Sequence, residues 1–585
     1  MFNYICQDKV MTTGQFRIYA ANDFWAMKAR GAGAYARILS THLAAGFQDS
    51  PMRKLPLAAA LAALLLSNAS FAGPSDKKDE KKDDKPQSAL VQPQTSITDG
   101  SVSVEGHSVS YKAVTGTLVL HGSGDKEDEP QVSMFYVAYM KKGAEPSKRP
   151  ITFIYNGGPG SATVWLHMGA FGPKRVVTAD DSHTPAAPYG LVNNDYSLLD
   201  VSDVVFIDAP GAGFSRLIAA DSDKSKRDEQ MKDRKKAIYS VDGDGHAFAQ
   251  FITQFLSKYG RWNSPKYLFG ESYGTTRSAV LANILENENS VDLNGVILLS
   301  QILSFDNSID GPQFNPGVDL PYELALPTFA ATAFYHHKLP QQPAALEPFL
   351  DEVKQYALGD YAQALMAGSR LSAAQTQAVA QRLHQYTGLP VDYLIKANLR
   401  VTGGMFEHQL QGDDDITTGR LDSRFSGPSL DPMAKDSEYD PQSSAISSAY
   451  IGAFNDYVRH TLKFGDGLQY REYADIDHWD MSHKAPGVNG EALQSSTNVM
   501  PDLAMAMKTN PNLKVYLNGG YYDLATPFFA ADYEMHHMPI PASLDANISY
   551  SWYPSGHMVY AHEASLKQLH DNVARFIEQT DNVKH

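Results

Sequence analysis

Apolar and polar residues alternate from residue 96 to 142, through SVSVEGHSVSYKAVTGTLVL and then QVSMFYVAYMKKG. Period two with Gly and Asp between the runs predicts antiparallel hairpins. Three short, nearly continuous apolar runs follow, ITFIY at 151–155, VVFI at 204–207 and KYLFG at 266–270. Gly and Pro flank them, which suits strands buried on both faces of a mostly parallel sheet. Between the last two, Gly245 to Tyr259 carries apolar residues at helical spacing, with Asp242 or Asp244 as the expected N-cap. Strand and helix therefore alternate as in an α/β sheet.

From 301 to 470 the pattern changes. ALEPFLDEVKQYALGDYAQALMAG and SAAQTQAVAQRLHQYTG are helical in period, with looser polar stretches between them. This region predicts a largely helical inserted cap. The α/β pattern returns with KVYLNGG at 514–520 and ISYSWYP at 548–554, and Glu563 to Gln579 predicts a closing helix. The core is thus expected in two parts, 91–300 and 471–585.

The N-terminal 90 residues follow neither pattern. Leu55 to Leu66 is the one long apolar run, too short to span a bilayer comfortably. Met52, Arg53 and Lys54 precede it and Ser70-Phe71-Ala72 follows, the order of a secretory signal with cleavage near Ala72. Such signals open a chain, so residues 1–51 are expected to be an upstream extension before a true start at Met52. Residues 73–90 are charged and turn-forming and predict a solvated linker. A periplasmic or secreted bacterial protein without a stable membrane anchor is the expectation.

Composition narrows the function. Of 585 residues 43% are hydrophobic, enough to bury a large core. Acidic groups outnumber basic ones 66 to 50, a formal charge of −16, which argues against a general nucleic-acid binder. Cys6 is the single cysteine, so neither a disulfide framework nor a multi-cysteine metal site can form within the chain. No metal or other cofactor is expected. The pairs His336-His337 and His536-His537 are adjacent in sequence, a poor arrangement for chelating one ion, and Asp413-Asp414-Asp415 suits a solvated loop.

The chemistry concentrates at Gly270-Glu271-Ser272-Tyr273-Gly274, directly after the KYLF run and before a helical segment. This is the strand–turn–helix setting of a nucleophile elbow, which lifts a serine Oγ at a helix N-terminus. A serine nucleophile needs a base, and the base needs an orienting acid. Downstream, and in the chain order this arrangement requires, stand Asp523 after KVYLNGGYY and His557 after ISYSWYPSG. Asn156-Gly157-Gly158-Pro159-Gly160 follows ITFIY, and such a loop allows close backbone approach to a ligand. It lacks the Lys-Ser/Thr ending of a phosphate-binding loop.

These blocks resemble the serine carboxypeptidase family, peptidase family S10, an α/β-hydrolase family. The matching segments are NGGPG at 156–160 with FGP at 171–173, FIDAPGAGFS at 206–215, GESYG at 270–274, GYYDLATP at 520–527 and SGHM at 555–558. The resemblance implies an α/β-hydrolase fold with an inserted cap, and peptide substrates cleaved from the C-terminus through an acyl-enzyme. It implies Ser272 as nucleophile, His557 as base and Asp523 as its orienter. The N–H groups of Gly158 and Tyr273 would form the oxyanion hole, and Asn156 and Glu271 would bind the substrate carboxylate. Two carboxyl groups can pair only if one is protonated, which implies activity under mildly acidic conditions. Three positions depart from the family pattern: Ile154 where tryptophan is usual, Ala170 where a second carboxylate-binding glutamate is usual, and Tyr521 where an aspartate is usual. These leave a thinner carboxylate site, so an esterase, an acyltransferase, another peptidase and a non-catalytic binding protein are the competing readings.

Overall fold

The computed structural model describes residues 90–122, 124–487 and 496–583. The expected upstream extension, the export signal at 52–72 and residues 73–89 of the linker lie outside the described residues.

Three antiparallel strands open the fold: β1 (Thr95–Val104), β2 (His107–His121) and β3 (Pro130–Lys141). Then come β4 (Ile151–Tyr155), β5 (Asp203–Ile207), β6 (Lys266–Glu271), β7 (Gly295–Leu299), β8 (Lys514–Gly520) and β9 (Ile548–Tyr553). They lie in one sheet in the order β1-β2-β3-β5-β4-β6-β7-β8-β9, and β5 through β9 run parallel. A short strand, Arg216–Leu217, pairs with β3 off this path. Every residue of β4, β5, β6 and β7 is buried, because helices cover both faces of the parallel half. This is the α/β-hydrolase architecture, and the hairpins and central strands fall where the apolar patterning put them.

Helix α1 (Val241–Tyr259) starts four residues before the predicted Gly245. Neither expected aspartate caps it. Ser240 does, in an extended backbone, accepting the Gly243 N–H at 3.0 Å. Asp242 and Asp244 fall in the first turn, and Asp244 is buried because it faces an arginine across the interface with the next helix. Helix α2 (Tyr273–Asn287) follows β6 with a single residue, Ser272, between them.

The chain between β7 and β8 has two packing regimes. Helices α3 (Leu320–Tyr335), α4 (Leu346–Tyr356) and α5 (Ala373–Thr387) help form an apolar cluster of their own, with Phe329 stacked on Phe406 at 4.2 Å between ring centroids. Helices α6 (Pro441–His460) and α7 (Met500–Thr509) join the cluster of the main sheet instead. Helix α8 (Phe528–His536) follows β8, and α9 (Glu563–Thr580) closes the fold as its period predicted.

Candidate active site

The carboxyl ends of parallel strands are where α/β sheets present their ligand sites. Ser272 stands at the end of β6 with φ 61° and ψ −132°, a backbone conformation that costs a non-glycine residue about 1–3 kcal/mol. The flanking glycines make the turn possible. A Cβ on Gly270 would collide with the carbonyl of Gly274, so the chain can close this tightly only without one. The Ser272 N–H donates to the carbonyl of Leu299 at 3.0 Å, which ties the turn to the end of β7.

Asp523 and His557 come from the ends of β8 and β9, and the structure brings them together. His557 Nδ1–H donates to Asp523 Oδ2 at 2.7 Å. Asp523 is fully buried and accepts three further bonds, from the N–H groups of Ala525 and Thr526 at 2.9 Å each and from Thr526 Oγ1 at 2.6 Å. Those donors fix the orientation of the carboxylate, with Oδ2 toward the imidazole. Burial pulls the His557 imidazole down, but the Asp523 charge and hydrogen bond outweigh it and the net shift is upward. Ser300 Oγ, one residue beyond β7, donates to the His557 carbonyl at 2.6 Å. The loops bearing Ser272 and His557 therefore anchor on adjacent residues, Leu299 and Ser300.

Asn156 and Glu271, expected to meet a substrate carboxylate, touch each other. Asn156 Nδ2 donates to Glu271 Oε2 at 2.8 Å, and the Tyr560 hydroxyl donates to the same oxygen at 2.8 Å. Burial pushes the Glu271 carboxyl up to about 7, against the opposing pull of His557, Tyr560 and Asn156. Asp523 adds to the rise. With two donors on Oε2, the proton of the neutral form belongs on Oε1.

The glycine loop is pressed against this turn. A Cβ on Gly157 would run into the backbone nitrogens of Tyr273 and Gly274, so this residue packs on the start of α2 with no room for a side chain. Tyr273 is the first residue of α2, and its N–H is one of the helix's opening donors without an intrahelical acceptor. An extended stretch, 471–474, lines the loop's far side. Ala162 N–H donates to the Glu472 carbonyl and Ala474 N–H to the Gly160 carbonyl, both at 2.8 Å. The FIDAPGAGFS block supports the same loop from below, since Asp208 Oδ1 accepts the Thr163 N–H at 2.8 Å. Burial pushes Asp208 up to about 7.

The three departures from the family pattern have structural fates. Ile154 is buried in β4 as ordinary core. Ala170 is buried in the wide π-helical turn Leu166–Phe171, where its carbonyl accepts Asn194 Nδ2 at 2.7 Å. At the preceding residue, Gly169, a side chain would meet the Tyr450 hydroxyl and the Tyr560 ring. Aromatic rings thus occupy the space beside Glu271. Tyr521 packs edge-on against Phe528, 5.2 Å between centroids.

The remaining candidates stand apart. His336 lies against the Ser423 carbonyl at 2.6 Å, His537 stacks on Tyr533, and Asp413, Asp414 and Asp415 are exposed. No group of three His, Cys, Asp or Glu side chains among the described residues is placed to hold a metal ion. No helix among them is long and apolar enough to cross a membrane. Sequence reasoning missed Tyr560, the Arg277–Asp244 pair beneath the loop and the 471–474 stretch. None carries a local motif of its own, although Tyr560 stands three residues after His557 and Arg277 five after Ser272.

Residues 107–314 match the family model described as serine carboxypeptidase, peptidase S10. Serine carboxypeptidase-like 33 of Arabidopsis thaliana is 27% identical over 178 residues, 30% of this chain and 33% of that protein. Serine carboxypeptidase-like 20 of the same plant is 25% identical over 205 residues, 34% of this chain and 36% of that one. The chain thus spans about a third of the length of the curated relatives it matches. Among solved structures, the prohormone-processing carboxypeptidase Kex1 of Saccharomyces cerevisiae aligns at a TM-score of 0.49 with 14% identity, covering 80% of this chain and 91% of that one. Through the segment that holds the glycine loop and the serine turn, this chain is similar to the serine carboxypeptidase family.

Proposed function

We propose that the chain is a serine carboxypeptidase, a bacterial-type and exported member of that family, which releases C-terminal residues from peptides. The observation that carries this reading is the Asp523–His557 hydrogen bond, together with a Ser272 held at φ 61° on a loop that anchors one residue away from the anchor of the His557 loop. Ser272 Oγ attacks the scissile carbonyl while His557 Nε2 takes its proton. Asp523 fixes the tautomer, because the Nδ1–H is committed to its carboxylate and Nε2 is left as the acceptor. The N–H groups of Gly158 and Tyr273 receive the oxyanion, aided by the positive end of α2. His557 then returns the proton to the leaving amine, and water releases the acyl group by the same route in reverse.

Exopeptidase action requires recognition of a free carboxylate. Neutral Glu271, with its proton on Oε1, donates to that group while Asn156 holds Oε2. The test is digestion of a peptide library with free and amidated C-termini. Residues leaving one at a time from free termini alone support the reading. Hydrolysis indifferent to the terminus, or confined to esters, transfers the same machinery to an esterase or acyltransferase. Export to the periplasm or cell exterior rests on residues 52–72, and N-terminal sequencing of the natural protein checks cleavage near Ala72.

A further inference from the structure

Beneath the glycine loop lies a charge that the function above does not use. Arg277 sits in α2 five residues beyond Ser272 and is almost wholly enclosed. Its Nε donates to Asp244 Oδ2 of α1 at 2.6 Å, and its Nη1 donates to the main-chain carbonyl of Asn156 at 2.8 Å. The guanidinium lies 4.2 Å from the centroid of the Phe248 ring, and 5.3 Å and 5.5 Å from those of Tyr155 and Tyr273. One planar cation therefore binds three elements: the helix that follows the serine, helix α1, and the first residue of the glycine loop.

The choice of a charge is informative. Packing alone does not need it, because apolar residues of similar volume usually serve a core at least as well as a buried ion pair. What an apolar pair cannot do is hold a carbonyl. The Asn156 carbonyl shares its peptide plane with the Gly157 nitrogen, so fixing the oxygen fixes that plane. Gly157 in turn abuts the Tyr273 and Gly274 nitrogens, and the next N–H along the chain is that of Gly158. We propose that Arg277, clamped by Asp244, is a positioning residue that sets the spacing between the Gly158 and Tyr273 N–H groups where the oxyanion forms.

This inference rests on the hydrolase reading, and the two fail separately. If a fluorophosphonate does not label Ser272 in the unaltered chain, the hydrolase reading falls before any variant is made. With labelling established, the full chain is compared with Arg277→Lys and Asp244→Asn. The measurements are kcat and KM on a blocked peptide with a free C-terminus, and affinity for a peptide boronic acid, which forms a tetrahedral adduct on the serine. Lysine keeps the charge but lacks the planar fork that spans carboxylate and carbonyl. Arg277→Lys is expected to lower kcat about a hundredfold, in the range of losing an oxyanion donor, with KM within about threefold and boronic acid affinity falling in step with kcat. Asp244→Asn, which keeps shape and loses charge, is expected to cost about tenfold in kcat. A folded Arg277→Lys enzyme with unaltered kcat and boronic acid affinity overturns the proposal, and so does a loss confined to KM. Should that variant fail to fold, unaltered kcat in Asp244→Asn overturns it instead.

Discussion

The parallel half of the sheet and the helical insertion after β7 bury their apolar residues in different ways. In the sheet, strands with no exposed residue are held by backbone ladders, and their turns are fixed by main-chain bonds such as Ser272 N–H to Leu299. In the insertion, helices α3, α4 and α5 meet only through side chains, chiefly aromatic and aliphatic, in a cluster of their own. The two regimes meet at Asp523. Tyr522 and Leu524 on either side of it belong to the insertion's cluster, while Asp523 turns the other way to His557. Chemistry is anchored by backbone geometry, which tolerates little displacement. The cover's helices are anchored by packing, which can repack. The cover reaches the chemistry through the residues flanking Asp523 and through main-chain bonds, the Leu421 carbonyl accepting the His557 N–H at 2.6 Å and the Arg420 carbonyl accepting the Leu524 N–H at 3.0 Å.

Four measurements break or sharpen that contrast. Ser272→Ala should cut kcat on the order of a millionfold, leaving the thermal midpoint near that of the unaltered chain, because only the chemistry is removed. Asp523→Asn tests the seam. It should lower kcat about ten-thousandfold by permitting the wrong imidazole tautomer, with KM little changed. A large rise in KM instead would mean that the insertion's packing had moved with it. Phe406→Ala, which empties the stack on Phe329, should destabilise by about 3–5 kcal/mol in chemical denaturation. If cover and chemistry are separable, the folded fraction keeps its fluorophosphonate labelling rate; a collapse of labelling denies the contrast.

The smallest effect concerns pH. In the proposed mechanism Glu271, pushed up to about 7 by burial, is protonated below that value and there donates to a substrate carboxylate. Above it the carboxylate is charged and repels. KM for peptides with a free C-terminus should therefore rise severalfold as pH climbs through about 7, while KM for amidated analogues stays flat. Glu271→Gln, neutral throughout, should abolish the rise. On the acid side kcat should fall as His557, raised from its ordinary value by Asp523, takes up a proton and ceases to be a base. The two groups lie within each other's field, so the limbs belong to the pair.

Much of this site could be read before folding was considered. The strand–Ser–helix context of Ser272 is contiguous, and the positions of Asp523 and His557 after apolar runs marked them as sitting past strand ends. What could not be read lies between distant segments. Tyr560 and Glu271 are 289 positions apart, and Arg277 and Asp244 are 33. The N-cap of α1 illustrates the same limit on a small scale. Asp242, Asp244 and Ser240 are all competent caps, and Asp244 was taken out of contention by an arginine on another helix.

The sequence alone determined the order of strands and helices, because burial on two faces, on one face, or on a helical stripe each leaves its own period. It also determined which short turns could be as tight as the chemistry needs, since glycine spacing is a local property. Tertiary structure decided which carboxyl sits beside which partner, and hence that Glu271 is raised, that Asp523 meets the imidazole, and that the aromatic rings of Tyr450 and Tyr560 fill the space next to Gly169. Charge, desolvation and hydrogen bonding act through distance in space, and distance along the chain does not encode it.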